Sequence, residues 1–152
     1  MNEYDGNNGK MLIPVDTDAE LADNLGAFEI IFADYTSTAT TFWIQTDILM
    51  KLKHWNGAIF KNKTLLNDED WHRYTIHKKF PSLLKAMAIC IGLDINPQKS
   101  EELLAFAGYL LSSCHTHQAY HFVLEKYRGR IDLCNDFLIK CGEKPFGTGV
   151  KI

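Results

Sequence analysis

Near residue 42 the spacing of apolar residues changes character. Upstream lie two short apolar runs, Lys10-Met11-Leu12-Ile13-Pro14-Val15 and Phe28-Glu29-Ile30-Ile31-Phe32-Ala33, the second bounded by Gly26 and a Thr/Ser cluster at 36–41. Runs of this length between turn formers predict short strands, at most a small ribbon or an edge element. Residues 18–25 between them have helical spacing, with Gly26 as the expected stop. From Phe42 onward, Trp43, Ile44, Ile48, Leu49 and Leu52 recur at three and four, the period of an amphipathic helix ending near Trp55.

Six further helices follow from the same pattern. Asn56-Gly57 breaks the first, and Asn56 caps a second through Ile59, Phe60 and Lys63. Asn67 caps a third, with Asp68, Glu69 and Asp70 in its first turn, where the helix dipole favours carboxylates. Its apolar face is Trp71, Tyr74 and Ile76. Pro81 in a first turn and Gly92 just past a last one delimit a fourth, with Leu83, Leu84, Met87, Ala88 and Ile91 as its stripe. Asn96-Pro97 opens a fifth that Gly108 stops; a sixth covers 116–128 and ends at Gly129; Asp132 caps a seventh that stops at Gly142. The expected fold is therefore mainly α. A compact bundle of seven short helices fills 42–146, behind an N-terminal arm with one or two short β-strands.

Composition fits one packed domain: 152 residues, 46% of them hydrophobic. No apolar run approaches the roughly 20 residues that span a bilayer. The polar, acidic N-terminus is unlike a signal peptide. These features predict a cytoplasmic protein with no membrane partner. Cys90, Cys114, Cys134 and Cys141 form no CxxC pair, and three lie in apolar helical patterns, as free thiols of a reducing compartment do. The net charge of −3 conceals a partition. Residues 1–50 hold nine acidic residues and one basic; residues 51–85 hold eight basic and three acidic, with His54, His72 and His77 among them. Such asymmetry suits a polyanion-facing middle, or a basic face that pairs with the chain's own acidic arm.

Little points to catalysis. Cys114-His115-Thr116-His117 with His121 offers two imidazoles at i,i+4, a spacing able to hold a metal. A zincin motif needs glutamate directly after the first histidine, and Gln118 stands there. Thiols in apolar stripes are poor nucleophiles, and no glycine-rich loop precedes a helix. No catalytic residue, metal or cofactor is expected.

Residues 56–93 carry the stronger signal. Phe60 and Leu66 are spaced to lock two short helices through a tight turn, Asn67 caps the second, and Trp71 and Tyr74 face inward. Positions 68, 69, 72 and 73 are left pointing out, and His77, Lys78, Lys79 and Ser82 follow at a basic, Pro-marked corner. This frame resembles the lambda-repressor-like (Cro/Xre-type) helix-turn-helix family. Residues 100–109, SEELLAFAGY, are similar to the helical extension of a bacterial subset, and Ala119-Tyr120-His121-Phe122 and Cys134-Asn135-Asp136-Phe137-Leu138 fit its last two helices.

The resemblance leaves residues 1–41 unexplained, an acidic arm expected to be partly disordered, above all in its first nine residues. For the rest it implies a helix-turn-helix core (42–93) and a helical extension (94–146), followed by a tail (147–152). It implies a sequence-specific regulator of transcription that binds double-stranded DNA, usually as a homodimer. His72 and Arg73 would read base edges, while Lys63, Thr64, His77, Lys78, Lys79 and Ser82 meet phosphates. Asn67 joins that set as the cap of the recognition helix. Four positions depart from the family's pattern. Leu65 holds the usually small turn position, Lys61 holds a usually small scaffold position, and Asp68 with Glu69 would repel phosphates. They leave a second reading open: a non-catalytic protein-binding module or mobile-element inhibitor, with the acidic arm as a DNA mimic or a gate.

Overall fold

A reciprocal cap starts the first helix, α1 (Asp18–Leu52). Thr17 N donates to Glu20 Oε2 at 3.0 Å, and Glu20 N donates to Thr17 Oγ1 at 3.2 Å, which satisfies two N–H groups of the opening turn. The helix does not stop at Gly26 and includes residues 28–33, expected as a strand, and the Thr/Ser cluster after them. A short apolar run fits either structure, and an interior glycine costs a helix only about 1 kcal/mol. With a cap upstream and helical spacing downstream, the segment propagates as helix.

The computed structural model describes residues 3–4, 11–12, 17–77 and 80–147, and the backbone alone for 3–4, 11–12, 30–40 and 74–77. By its contacts the chain divides into two units, Met1–Asp34 and Tyr35–Ile152. In the first, β1 (Glu3–Tyr4) pairs antiparallel with β2 (Met11–Leu12), Glu3 opposite Leu12 and Tyr4 opposite Met11. The rest of the strand expected over 10–15, and most of the first nine residues expected to be disordered, lie outside the described residues.

The second unit is an all-α bundle. After the C-terminal part of α1 come α2 (Gly57–Thr64), α3 (Asp68–His77), α4 (Leu83–Leu93), α5 (Pro97–Phe106), α6 (His115–Lys126) and α7 (Ile131–Lys140). Helix α4 is its centre: every residue from Ala86 to Leu93 is buried, and the helix packs on α2, α5, α6 and α7. Its sequence is apolar nearly all round, which is what a helix enclosed on all sides requires. Gly92 does not end α4 as expected but lies within it. A Cβ there would stand 2.8 Å from the Lys63 carbonyl oxygen, so the glycine lets α4 and α2 touch. The helix ends at Asp94 instead, in the left-handed region at φ 53°.

Side-chain caps mark several starts. Asn56 Oδ1 accepts from Ile59 N, Ser82 Oγ from Lys85 N, and Asn96 Oδ1 from Lys99 N. Pro81, expected in the first turn of α4, sits just before the Ser82 cap. Asp132, expected to cap α7, lies inside its first turn, and Arg130 holds the cap position without a side-chain bond. Past α7, Asn135 exchanges two hydrogen bonds with the Phe146 backbone, at 2.9 and 2.8 Å, and the Phe146 ring is fully buried. Among the described residues, no helix is long and apolar enough to cross a membrane.

Candidate functional site

Helices α2 and α3 meet through three residues, Leu65, Leu66 and Asn67. Thr64 begins the turn. Its hydroxyl donates to the Phe60 carbonyl at 2.7 Å and accepts from Leu66 N at 3.2 Å. Leu65 follows in the left-handed region, φ 58°, a conformation that disfavours any residue with a Cβ. Leu66 then drops into the core, and Asn67 Oδ1 accepts from Asp70 N at 2.9 Å to cap α3. Phe60 anchors the inner side, buried, with the Trp71 ring at 5.0 Å and the Trp55 ring at 6.3 Å.

The outer side of α3 is polar. Asp68, Glu69, His72 and Arg73 are exposed, as their spacing predicts once Trp71 turns inward. The acidic first turn is not a bare carboxylate cluster. Asp68 pairs with Lys61 across the turn at 3.0 Å. This contact accounts for a lysine in the scaffold helix: its stem leaves the helix interface and its ammonium neutralises the first acid of α3. Asp70 is buried, accepts from Asn67 N at 3.3 Å, and pairs with Lys85 Nζ of α4 at 2.6 Å. Lys63 and Arg73 enter no ion pair among the described residues.

The remaining sequence-expected residues fall unevenly. Thr64 is fully buried with its hydroxyl engaged on both sides, so it shapes the turn and offers nothing to a phosphate. Ser82 is exposed but serves as the cap of α4. His77 ends α3, its side chain outside the described set; Lys78 and Lys79 lie outside the described residues. Spacing alone missed Arg130. A groove of about 390 Å³ beside the end of α2 is lined by Asn62 and Lys63 from one side and by Arg130, Ile131 and Asp132 from the other. Nothing in the sequence joins residues 63 and 130, which come together at the ends of α2 and α7, two helices that each pack on α4.

The histidine-rich start of α6 is organised for hydrogen bonding. His117 Nδ1 accepts from Ser112 N at 2.7 Å, His121 Nδ1 lies 3.3 Å from Glu101, and His115 Nδ1 lies 2.6 Å from Glu143 Oε2. The imidazoles at 117 and 121 thus have separate partners. Hydrogen bonds from His115 and then from Thr116, at 2.8 Å, hold the Glu143 carboxyl below its ordinary value. Cys114, fully exposed before α6, has its thiol lowered mainly by a hydrogen bond from Ser112, with the N–H groups of α6 adding to it. Burial pushes the thiols of Cys90 and Cys134 up to about 12. The chain matches no protein-family model, no curated protein and no solved structure.

Proposed function

We propose that the chain is a double-stranded-DNA-binding regulator of the lambda-repressor-like helix-turn-helix kind, with α3 as its recognition helix. A helix of ten residues, about 15 Å long, suits the major groove. What supports the reading is a short helix locked by Phe60, Leu66 and Trp71 on one side, with His72 and Arg73 exposed on the other. The observation that carries it is the pairing of the outward Asp68 with Lys61, while Asp70 is turned inward onto Lys85. One of the two outward carboxylates that would repel a phosphate backbone is thus paired within the protein. Only Glu69 of that turn enters no such pair among the described residues.

In this reading His72 and Arg73 contact base edges, and Arg73 suits the O6/N7 edge of guanine. Lys63 and Arg130, which share one groove, join Lys78 and Lys79 as phosphate contacts. Ser82 and Asn67 set helix starts, and Thr64 leaves the contact set.

Fluorescence polarisation against random duplex DNA at two salt concentrations tests the proposal. Binding should weaken steeply with salt, because each neutralised phosphate releases counterion. Arg73→Ala should relax sequence preference, whereas Arg130→Ala should weaken binding to all duplexes and lower the salt slope by about one. No binding at low salt, or a flat salt response, would end the reading.

A further inference from the structure

Of the three acids in the first turn of α3, Glu69 alone enters no ion pair among the described residues. Asp68 is held by Lys61 at 3.0 Å, and Asp70 is buried on Lys85 at 2.6 Å. Glu69 is exposed, as are His72 and Arg73 one turn further on. Glu69 and Arg73 stand four residues apart, so their side chains lie along one line of the helix. A glutamate and a base in that order commonly pair with each other. These two do not, and both stay exposed.

We propose that Glu69 reads a cytosine and so fixes part of the sequence that α3 selects. The inference rests on the DNA-binding reading above and gives this carboxylate a new role, choosing within the duplex instead of repelling it. Arg73 sets the direction: if its guanidinium reaches base edges, the side chain on the same line one turn earlier reaches them too. An ionised carboxylate only accepts, and the major groove offers it two amino donors, N4 of cytosine and N6 of adenine. The adenine edge also carries the N7 acceptor, which sets a lone pair against the second carboxylate oxygen. The cytosine edge carries no acceptor, so cytosine is the base that takes a carboxylate. Arg73 has the converse need, since a fork of donors suits O6 and N7 of guanine. Positions 69 and 73 are about 6 Å apart along the helix, less than two base-pair steps of about 3.4 Å. The preferred site therefore holds a cytosine and a guanine within two steps of each other.

The neighbouring acids cannot share this role. Asp68 spends its charge on Lys61, and Asp70 faces the core. Selection by the first turn falls on one side chain, and replacing it has a different signature from removing charge nearby.

Selection of duplexes from a random pool by the full chain tests this, followed by fluorescence polarisation on the selected site and its single-pair changes. The wild type should favour cytosine at one position by about tenfold. Glu69→Gln keeps the shape and adds a donor, so preference there should move to adenine, which glutamine contacts at N6 and N7. Glu69→Ala should lose the preference and bind random duplexes more tightly, because a negative charge leaves the interface. Asp68→Asn frees Lys61, so it should tighten binding to every duplex and leave the cytosine preference in place. Because Glu69 is exposed, its variants should unfold in urea close to the wild type.

A wild type that binds without favouring cytosine, or a cytosine preference that survives in Glu69→Ala, would overturn the assignment and leave α3 as a DNA-reading helix. A preference that moves in Asp68→Asn would overturn it as well. Binding by Glu69→Ala but not by the wild type would mean that the carboxylate only repels. If neither protein binds duplex DNA at low salt, the DNA reading itself fails and the assignment falls with it.

Discussion

Replacing Lys85 should be the most damaging single change at the α3–α4 contact. The Asp70 carboxylate is 2% exposed and lies 2.6 Å from Lys85 Nζ. Lys85→Met keeps the length of the side chain and removes the charge, leaving a buried carboxylate without its lysine. Breaking a buried pair from one side costs about 3–5 kcal/mol. Since the Lys85 side chain is 28% exposed, water reaches the site and the lower end applies, about 3 kcal/mol. Asp70→Asn acts differently. It removes the charge, keeps an oxygen for the Asn67 N–H, and lets the lysine turn to solvent, at a cost of about 1 kcal/mol. The double variant should then be more stable than Lys85→Met alone, by on the order of 1–2 kcal/mol, because no buried charge remains. Urea unfolding followed by tryptophan fluorescence measures all three, with Trp71 on α3 as a local reporter. For a domain of this size the Lys85→Met loss corresponds to a fall in Tm of roughly 10 °C. A cost below about 0.5 kcal/mol for Lys85→Met, or a larger one for Asp70→Asn, would refute the reasoning.

Three further outcomes follow from the geometry. Gly92→Ala should destabilise the bundle by about 2 kcal/mol in chemical unfolding, because its Cβ meets the Lys63 carbonyl at 2.8 Å; a neutral effect would mean that α2 and α4 slide apart freely. Limited alkylation at neutral pH with mass-spectrometric readout should label Cys114 first and leave Cys90 and Cys134 unmodified until the protein unfolds; prior labelling of either buried thiol would contradict their burial. Glu143 has a folded-state value below its unfolded one, so its contribution to stability is present above the ordinary carboxylate range and fades as pH falls through that range to the lower folded value. Glu143→Gln should therefore lose less stability than the wild type between neutral and acid pH, and identical pH dependence of the urea midpoint would rule out the clasp.

Helices α2 to α7 are legible in the sequence because each couples an apolar stripe to a local start or stop. Asn56, Asn67 and Asn96 cap where their spacing predicts, and Gly108, Gly129 and Gly142 take positive φ beside helix ends. These signals act within one turn of chain, so no tertiary information is needed to read them. The same local reading misplaces Gly92 and Pro81, and it splits α1 by treating 28–33 as a strand. It also passes over the Thr17–Glu20 cap, a local signal that was present in the sequence.

The outward set on α3 is likewise a matter of period. Once Trp71 is inward, positions 68, 69, 72 and 73 face out. Whether those side chains present net acid or net base is not local. Lys61 lies seven residues before Asp68, and Lys85 fifteen after Asp70, and each pair meets only because a left-handed Leu65 folds α3 back beside α2 and α4. In the same way the sequence marks Thr64 as a polar residue near a basic corner, while the turn buries it and engages its hydroxyl. Periodicity and capping alone determined where α2 to α7 lie, because both act between residues three or four apart. They misjudged the wet face of α1, where Ile44, Ile48 and Leu52 are exposed and Phe42, Thr46 and Met50 are buried. The tertiary structure alone decided which charges cancel, why Gly92 must be small and that Arg130 shares a groove with Lys63, because these depend on contacts between helices that the chain brings together from a distance.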